Sequence, residues 1–232
     1  SFHNNILVII ALLMLFVTGM IIYVMLRFNR KRNPVPSKTT HNTMIEVIWT
    51  LIPVLILVFI AIPSFKLLYL QDRIPAADLT IKATGNQWYW SYEYPDQEDL
   101  SFDAVMLTKE EAAAKNVPYL FSADAHVVVP VNKIVRVQVT ASDVIHSWAV
   151  PAFGVKIDAV PGRLNETWFK AEKEGIFYGQ CSELCGMHHA FMPIVVEVVS
   201  EAKYAAWLKA NGQAVASNPA AAGEQIAAVT AR

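Results

Sequence analysis

The chain has 232 residues and a formal net charge of −1, with 54% hydrophobic and only 17% charged residues. Soluble domains are about one quarter charged, so the apolar excess must be concentrated in particular segments. The near-neutral charge implies no nucleic-acid partner, because proteins that bind nucleic acids carry a strongly basic surface.

Two apolar spans account for the excess. Ile6–Leu26 contains no charged residue and is about as long as a helix that crosses a bilayer. Val47–Phe65 is interrupted only by Pro53 and Pro63, which transmembrane helices tolerate. A buried soluble helix is the alternative for either span, and a signal peptide for the first. The two spans lie close together, however, and the first lacks both a basic start and a small-residue cleavage motif.

The segment between the spans is basic. It contains Arg27, Arg30, Lys31, Arg32 and Lys38, with no acidic residue among them. By the positive-inside rule this loop faces the cytoplasm, or the matrix of a mitochondrion. We therefore predict a transmembrane hairpin at residues 1–77, with helices over about 6–26 and 45–70. Everything after about Tyr69 then lies in the periplasm or the intermembrane space.

From Asp78 the pattern changes to short alternating apolar runs bounded by turn residues, which is typical of β-strands. The predicted strands are Leu79–Thr84, Trp88–Tyr94, Ile134–Thr140, Ile145–Val150, Leu164–Lys170, Ile176–Tyr178 and Ile194–Val199. Seven strands over about 120 residues indicate an all-β Greek-key sandwich at residues 78–200, with one helical insert at Lys109–Lys115. Residues 201–232 begin with a short helix, Glu201–Lys209, and end in an Ala-rich tail.

An acidic run lies near the start of this domain. Its members are Glu93, Asp96, Glu98, Asp99 and Asp103, and no basic residue stands among them. A solvated loop is the ordinary explanation of such a run. The functional alternative is a patch that attracts a basic partner and speeds encounter with it.

Soft metal ligands crowd into one loop, Cys181–Met192, which contains the only two cysteines of the chain, two histidines and two methionines. Thiolate, thioether and imidazole together select copper rather than magnesium or calcium. Two thiolates can bridge two metal ions, whereas a mononuclear site needs only one. The loop therefore predicts a copper site that transfers electrons.

Two other interpretations of the loop remain open. A disulfide between Cys181 and Cys185 is possible in an extracytoplasmic domain, but it leaves His189 and Met192 unexplained. Zinc sites favour Cys and His without a thioether, and the C-x-x-C spacing is absent. His146 stands 35 residues before Cys181. A lone histidine is more often structural, but a sandwich gathers its end loops at one pole, so His146 can complete the ligand set.

Four motifs give the chain a resemblance to a known family. They are Gln87–Tyr94, Asp143–Trp148, Asp158–Arg163 and the run from Cys181 to Pro193. Together with the hairpin, and over nearly the whole chain, they resemble subunit II of haem–copper cytochrome c oxidases of the alphaproteobacterial or mitochondrial type. The resemblance implies a cupredoxin-like domain with the binuclear copper centre CuA. This centre accepts electrons from cytochrome c and passes them to the haem of subunit I, where oxygen reduction is coupled to proton pumping.

The resemblance also implies ligand roles. The implied copper ligands are Cys181 and Cys185 as bridges, His146 and Met192 on one copper, and His189 with the backbone carbonyl of Glu183 on the other. The Glu183 carboxylate would bind a magnesium ion shared with subunit I, although a plain exposed glutamate is the alternative. His188 and Asn86 occupy positions where family members usually carry a smaller amide and a histidine. The spacing from Cys185 favours His189 as the ligand, so we expect His188 beside the site or on the surface.

Three further roles are implied by the resemblance. Trp88 would receive the electron from cytochrome c. It would also share one strand face with Trp90, Tyr92 and Tyr94, for which a place in the core is the ordinary explanation. The implied docking acids for a lysine-ringed cytochrome c are Asp96, Glu98, Asp99, Asp103 and Asp143. Glu46, at the cytoplasmic start of the second span, would mark the entrance of a proton channel, with an interfacial glutamate as the alternative.

The implied partners are subunit I with its haem and oxygen-reducing centre, further oxidase subunits, cytochrome c and the lipid membrane. The implied location is the bacterial inner membrane, with the copper domain in the periplasm; the mitochondrial inner membrane is the alternative. Three other functions are alternatives to this one. A membrane-anchored copper chaperone would carry its histidine after the cysteines, a quinol oxidase subunit would lack the copper ligands, and the copper domain of nitrous-oxide reductase would lack the hairpin.

Overall fold

The computed structural model describes residues 2–97 and 100–211, which divide into one unit up to Leu70 and a second that begins at Gln71. The first unit is helical and the second is mostly β-structure. Two sequence predictions lie outside the described residues: the docking roles of Glu98 and Asp99, and the Ala-rich tail.

The first unit is formed by two helices, α1 (Phe2–Arg27) and α2 (Thr43–Asp72). Both are long and apolar enough to cross a membrane, with mean hydropathies of 2.9 and 2.7 over their most apolar stretches. Neither helix contains a residue buried inside the protein. This is the pattern expected where lipid provides the apolar surroundings. Pro53 and Pro63 lie inside α2 without ending it, as predicted.

Within the described residues, the second unit has ten strands. They are β1 (Leu79–Asn86), β2 (Tyr89–Glu93), β3 (Ser101–Ala104), β4 (Val127–Pro130), β5 (Ile134–Ala141), β6 (His146–Val150), β7 (Val155–Ala159), β8 (Asn165–Lys170), β9 (Gly175–Gln180) and β10 (Pro193–Val199). They form three sheets with the strand orders β3-β2-β1-β5-β8, β4-β10-β9 and β6-β7. The pairs β1–β5 and β4–β10 are parallel, and the others are antiparallel. The helices α3 (Lys109–Ala114) and α4 (Glu201–Ala210) complete the unit.

All seven predicted strands and both predicted helices of this unit are present, but β3, β4 and β7 were not predicted. β4 is buried at every position, so it shows no alternation, and it ends in Pro130, which indicates a turn. β3 has only four residues, and β7 follows directly after a short 3₁₀ turn at Pro151–Phe153. Apolar alternation over such short stretches is too weak to predict a strand.

The core is built from the alternating faces of the central strands. In β1 the side chains of Leu79, Ile81 and Ala83 are buried, and their neighbours are only partly so. β5 repeats the pattern and pairs with β1 in parallel, with Ile81 opposite Val137. This alternation arises because successive side chains of a strand point to opposite faces of the sheet.

The aromatic strand β2 contributes large side chains to the core. Trp90, Tyr92 and the following Tyr94 are fully buried, which confirms the core interpretation for these three. The Tyr94 hydroxyl both accepts a hydrogen bond from the Val128 N–H and donates one to the Val128 carbonyl, each at 2.9 Å. The prediction that Trp88 shares this strand face is wrong. β2 begins only at Tyr89, and the indole of Trp88 turns towards another loop.

The loop Cys181–Met192 is held at both of its ends. β9 leads into it and β10 leaves it, and these two strands pair antiparallel, with Gln180 opposite Pro193. The backbone N–H of Ser182 donates a hydrogen bond to the carbonyl of Ser147 in β6 at 3.0 Å. The loop is therefore fixed beside the strand that begins with His146.

Candidate metal centre

The two cysteines lie side by side at the centre of the site. Cys181 and Cys185 are buried free thiols, and their Sγ atoms are 3.9 Å apart. The structure therefore contains no disulfide between them, and the disulfide alternative is wrong for this form of the chain. Two sulfurs at this separation can both contact the same metal ion or pair of ions.

The other predicted copper ligands surround these two sulfurs. Around Cys181 Sγ lie the Nδ1 of His146 at 3.9 Å and the carbonyl oxygen of Glu183 at 3.4 Å. Around Cys185 Sγ lie the Nδ1 of His189 and the Sδ of Met192, both at 3.5 Å. The ligand atoms of His146, Cys181 and Cys185 are all within 4.8 Å of one another. The fold thus brings all six predicted residues together from two segments.

The donor set fits copper. Two thiols, two imidazoles and a thioether are soft or intermediate ligands, and this combination favours copper over hard cations. Met192 is fully buried and its sulfur contacts a cysteine sulfur, whereas Met187 is 82% exposed. A zinc site would leave the Met192 thioether without a purpose.

Asp143 fixes the orientation of the His146 ring. The ring is fully buried, and its Nε2 lies 2.9 Å from Oδ1 of Asp143, which leaves Nδ1 facing Cys181. Asp143 also accepts hydrogen bonds from the backbone N–H groups of Gln87 at 2.7 Å and Val144 at 2.6 Å. A carboxylate behind a ligating histidine sets its tautomer and ring orientation. This role was not predicted, because the sequence indicated only an acidic docking residue.

Gly85 was also missed by sequence reasoning. A Cβ atom at this position would lie 2.8 Å from Cδ2 and Cγ of His146. The ring can therefore pack against β1 only because position 85 has no side chain. A glycine inside a strand is a signal for such a close approach, but the sequence does not show which residue approaches.

The carbonyl of Cys185 accepts two hydrogen bonds from the segment that follows β1. Gln87 donates from Nε2 at 2.8 Å, and Trp88 donates from its indole Nε1 at 3.2 Å. Trp90 donates from its own indole to the carbonyl of Met192 at 3.3 Å. Side chains of the aromatic motif therefore bind the backbone of two predicted ligands.

The two thiols differ in acidity. Burial opposes the ionisation of Cys181, but hydrogen bonds with His146 and with the backbones of Glu183 and Ser147 lower its pKa to about 7. Burial, followed by the nearby charge of Cys181, raises the pKa of Cys185 to about 12. One thiolate therefore forms near neutral pH, whereas the second needs the positive charge of a bound metal. Metal binding at this site must release protons.

A chain of polar side chains starts at Asn86, where the family resemblance would place a histidine. Ser142 donates to Oδ1 of Asn86 at 2.5 Å, and Nδ2 of Asn86 donates to Ser91 at 3.0 Å. Ser91 in turn donates to Asp103 at 2.6 Å. Through these three hydrogen bonds, the Asn86 amide links the segment before Asp143 to β2 and β3.

The remaining predicted residues lie apart from the sulfurs. The backbone of Glu183 faces Cys181, and the residue as a whole is exposed. Asp96 accepts a hydrogen bond from the Thr80 N–H at 2.6 Å. Glu46 is exposed in the first turn of α2, where Oε1 accepts from the backbone N–H of Asn42 at 3.4 Å. His188 is exposed, and its ring packs against Trp88.

Two family models match the chain in succession. The transmembrane domain of cytochrome c oxidase subunit II matches residues 1–67, and the periplasmic domain of the same subunit matches residues 79–199. A curated relative, cytochrome c oxidase subunit 2 of Cereibacter sphaeroides, is 54% identical over 221 residues, which cover 88% of this chain and 73% of the relative. The similarity therefore includes both units.

Solved structures resemble the second unit. The crystal structure of the periplasmic domain of cytochrome oxidase subunit II from Bradyrhizobium japonicum is 60% identical, with a TM-score of 0.56. The match covers 60% of this chain and 96% of that domain. A second structure is a mixed disulfide intermediate between a thioredoxin-like protein and subunit II of cytochrome c oxidase. It is 59% identical with a TM-score of 0.52, and the match covers 60% of this chain and 93% of that one.

Gly85→Ala should displace the His146 ring and weaken copper binding, because the new methyl group would overlap the ring. We expect overpacking to lower the free energy of unfolding by about 1–3 kcal/mol. Copper content after dialysis and urea unfolding of the extramembrane unit measure the two effects. Lys173→Ala is the control, because Lys173 is exposed and lies in the same unit. Full copper content in Gly85→Ala would contradict the close packing of His146 on β1.

Proposed function

The chain belongs to the cytochrome c oxidase subunit II family, and on this basis we propose that six of its residues hold the copper through which electrons reach the oxidase. The proposed ligands are His146, Cys181, the carbonyl of Glu183, Cys185, His189 and Met192. Membership makes the chain a two-pass inner-membrane subunit of a haem–copper oxidase, with the second unit in the periplasm. Other oxidase subunits are accordingly its partners.

The observation that carries the ligand proposal is the contact between the two thiols and their four neighbours. Cys181 and Cys185 are each flanked by an imidazole and by one further donor, at 3.4–3.9 Å from sulfur. Two bridging thiolates with one histidine on each side suit a pair of coppers better than a single ion. A bound pair would supply a one-electron redox couple.

The chain's own contribution is to hold these ligands rigidly and keep water away. Trp148 is buried and donates its indole N–H to Tyr92 at 3.2 Å, and it stacks on Phe169. Phe153 in turn stacks on Phe169, and the centroids of these two rings are 4.4 Å apart. Rigid ligands change little on oxidation and reduction, which favours fast electron transfer. Phe191, inside the copper loop, is 39% exposed and shields the site only in part.

Trp88 is the proposed electron acceptor on the surface. Its indole N–H donates to the carbonyl of Cys185, a proposed copper ligand, at 3.2 Å. Part of the indole is open to solvent. An aromatic side chain that touches both the solvent and a proposed ligand gives a short hydrogen-bonded route to the metal.

The proposed electron donor is cytochrome c, bound by exposed acids. Asp96 and Asp103 are exposed next to the β2–β3 region, and Asp143 lies at the copper end of the domain. Their hydrogen bonds to the protein hold each carboxylate in place without neutralising it. An association rate that falls steeply with ionic strength would support this docking surface, because exposed charges are screened over about 10 Å at 0.1 M salt.

The Glu183 carboxylate is the proposed ligand of a magnesium ion shared with subunit I. The backbone of Glu183 faces Cys181 while the residue is exposed, so its side chain is free to meet a neighbouring subunit. Carboxylate oxygen suits this hard cation. Manganese can replace magnesium at such a site and be detected by EPR. The proposal predicts that Glu183→Gln loses this manganese signal and keeps its copper.

A thioredoxin-like reductant is a second proposed partner. The related subunit II has been captured in a mixed disulfide with such a protein. Here the two thiols lie 3.9 Å apart in a domain that faces an oxidising compartment, so they can oxidise to a disulfide that blocks copper. Slow copper loading of the oxidised domain, restored by a thioredoxin-like protein, would support this partnership.

Copper stoichiometry with EPR spectroscopy tests the ligand proposal directly. The domain from Asp78 to Ser200 should bind two coppers and show one unpaired spin split by both nuclei. His189→Asn should remove or alter this spectrum, because it deletes a proposed ligand. The matched variant His188→Asn should leave the spectrum unchanged. One copper per chain, or equal effects of the two variants, would contradict the proposed site.

Trp88→Phe should slow copper reduction by cytochrome c by about tenfold or more, because the substitution removes the hydrogen-bonded contact with Cys185. Copper content and the EPR spectrum should stay unchanged. Stopped-flow absorbance gives the rate. Trp207→Phe, in α4, is the control and should react normally. Unchanged kinetics in Trp88→Phe would remove this residue from the route.

Glu46→Ala should slow reduction of the distant haem–copper centre, because Glu46 is the proposed entrance of a proton channel that continues into subunit I. Oxygen consumption and the spectrum of CuA are the measurements. Glu46→Asp, which keeps the carboxyl group, should retain more turnover than Glu46→Ala. Normal turnover of Glu46→Ala would show that this glutamate only reaches interfacial water.

A further inference from the structure

His188 lies in the copper loop, and its ring packs against two aromatic side chains. Its ring centroid is 4.8 Å from that of Trp88, at an interplanar angle of 73°. On its other side it lies 5.7 Å from Phe191, at 75°. Both arrangements are edge-to-face, which is a favourable geometry for aromatic rings. His189, the next residue, is the one whose Nδ1 faces Cys185.

The copper loop approaches the Trp88 indole at three positions, Cys185, Gly186 and His188. The carbonyl of Cys185 accepts its N–H at 3.2 Å. A Cβ atom at Gly186 would lie 3.1 Å from Cζ2 of the indole, so the loop backbone passes close to the six-membered ring. His188 then packs against the indole from a third direction.

We propose that His188 is a positioning residue that fixes the Trp88 indole for electron transfer. The inference rests on the proposed role of Trp88 as the electron acceptor. Packing against the core, the N–H bond to Cys185 and the close backbone of Gly186 hold the half-buried indole. The edge-to-face contact with His188 restrains the motion that remains in this partly exposed ring and keeps the indole N–H aimed at the carbonyl.

The exposure of His188 separates this role from a structural one. The residue is exposed, so its removal opens no cavity in the core. Its ring contacts go to Trp88 and Phe191, and Phe191 is itself 39% exposed. Substitution should therefore change the dynamics of the indole without unfolding the domain or removing copper.

The test uses the complete oxidase with His188→Ala, His188→Asn and His188→Phe. Stopped-flow reduction of copper by saturating cytochrome c should slow by about two- to tenfold in the Ala and Asn variants, the range expected from losing one edge-to-face contact. The Phe variant should keep the rate within about twofold, because it retains a flat ring. The EPR spectrum and midpoint potential of copper should match those of the unsubstituted enzyme.

Double substitution separates this inference from the proposed function. In a Trp88→Phe background, His188→Ala should add no further loss, because both changes act on the same contact. A slow Trp88→Phe with a normal His188→Ala would overturn the role of His188 and leave the proposed function intact. Normal rates in both would overturn the Trp88 route as well.

Two other results would also overturn the inference. An altered EPR spectrum or potential in His188→Ala would mean that the residue acts on the copper ligands. A loss of rate seen only at low cytochrome c concentration, and absent at saturation, would mean that His188 contributes to docking. Only a slower rate at saturation, with copper unchanged, supports a positioning role.

Discussion

Two buried thiols 3.9 Å apart repel each other as soon as both ionise, and only a cation between them removes that repulsion. The local environment reflects this constraint. Hydrogen bonds hold the pKa of Cys181 at about 7, while burial and the charge of Cys181 raise that of Cys185 to about 12. The protein must therefore hold the sulfurs together by other means. Strand pairing and backbone hydrogen bonds around the loop provide them.

Three segments that are far apart in the sequence meet around these sulfurs. Asp143 accepts hydrogen bonds from the Gln87 backbone and faces the His146 ring, and the Gln87 side chain binds the carbonyl of Cys185. The end of β1, the segment before β6 and the copper loop are thus connected through two residues. Hydrogen bonds that join distant segments in this way restrict the relative movement of those segments.

The sequence predicted the parts of the molecule that depend on local pattern or on unusual chemistry. The two long apolar helices were evident from length and hydropathy, and soft ligands in Cys181–Met192 indicated copper. The family resemblance then supplied the carbonyl of Glu183, which no side-chain pattern reveals. Side-chain alternation placed Trp88 on one strand face with Trp90, Tyr92 and Tyr94, which was wrong for Trp88, because β2 begins only at the next residue, Tyr89.

What could not be predicted depends on contacts between distant segments. Nothing local indicates that Gly85 lies under the His146 ring, or that Asp143 serves that ring as well as the surface. β4 was missed for a different reason, since burial on both faces removes the alternation by which strands are found. Periodicity reports how a segment faces its surroundings, and it does not report which segment it meets.

Hydrogen bonds between protein groups shape the copper loop, and this has a thermodynamic consequence. Zinc fingers gain their fold from the metal, so their apo forms unfold. Here strand pairing, the Ser182–Ser147 backbone bond and the donors to Cys185 keep the ligands in place by themselves. The more of the loop these contacts hold, the larger is the share of the metal-binding free energy that appears as affinity and not as folding.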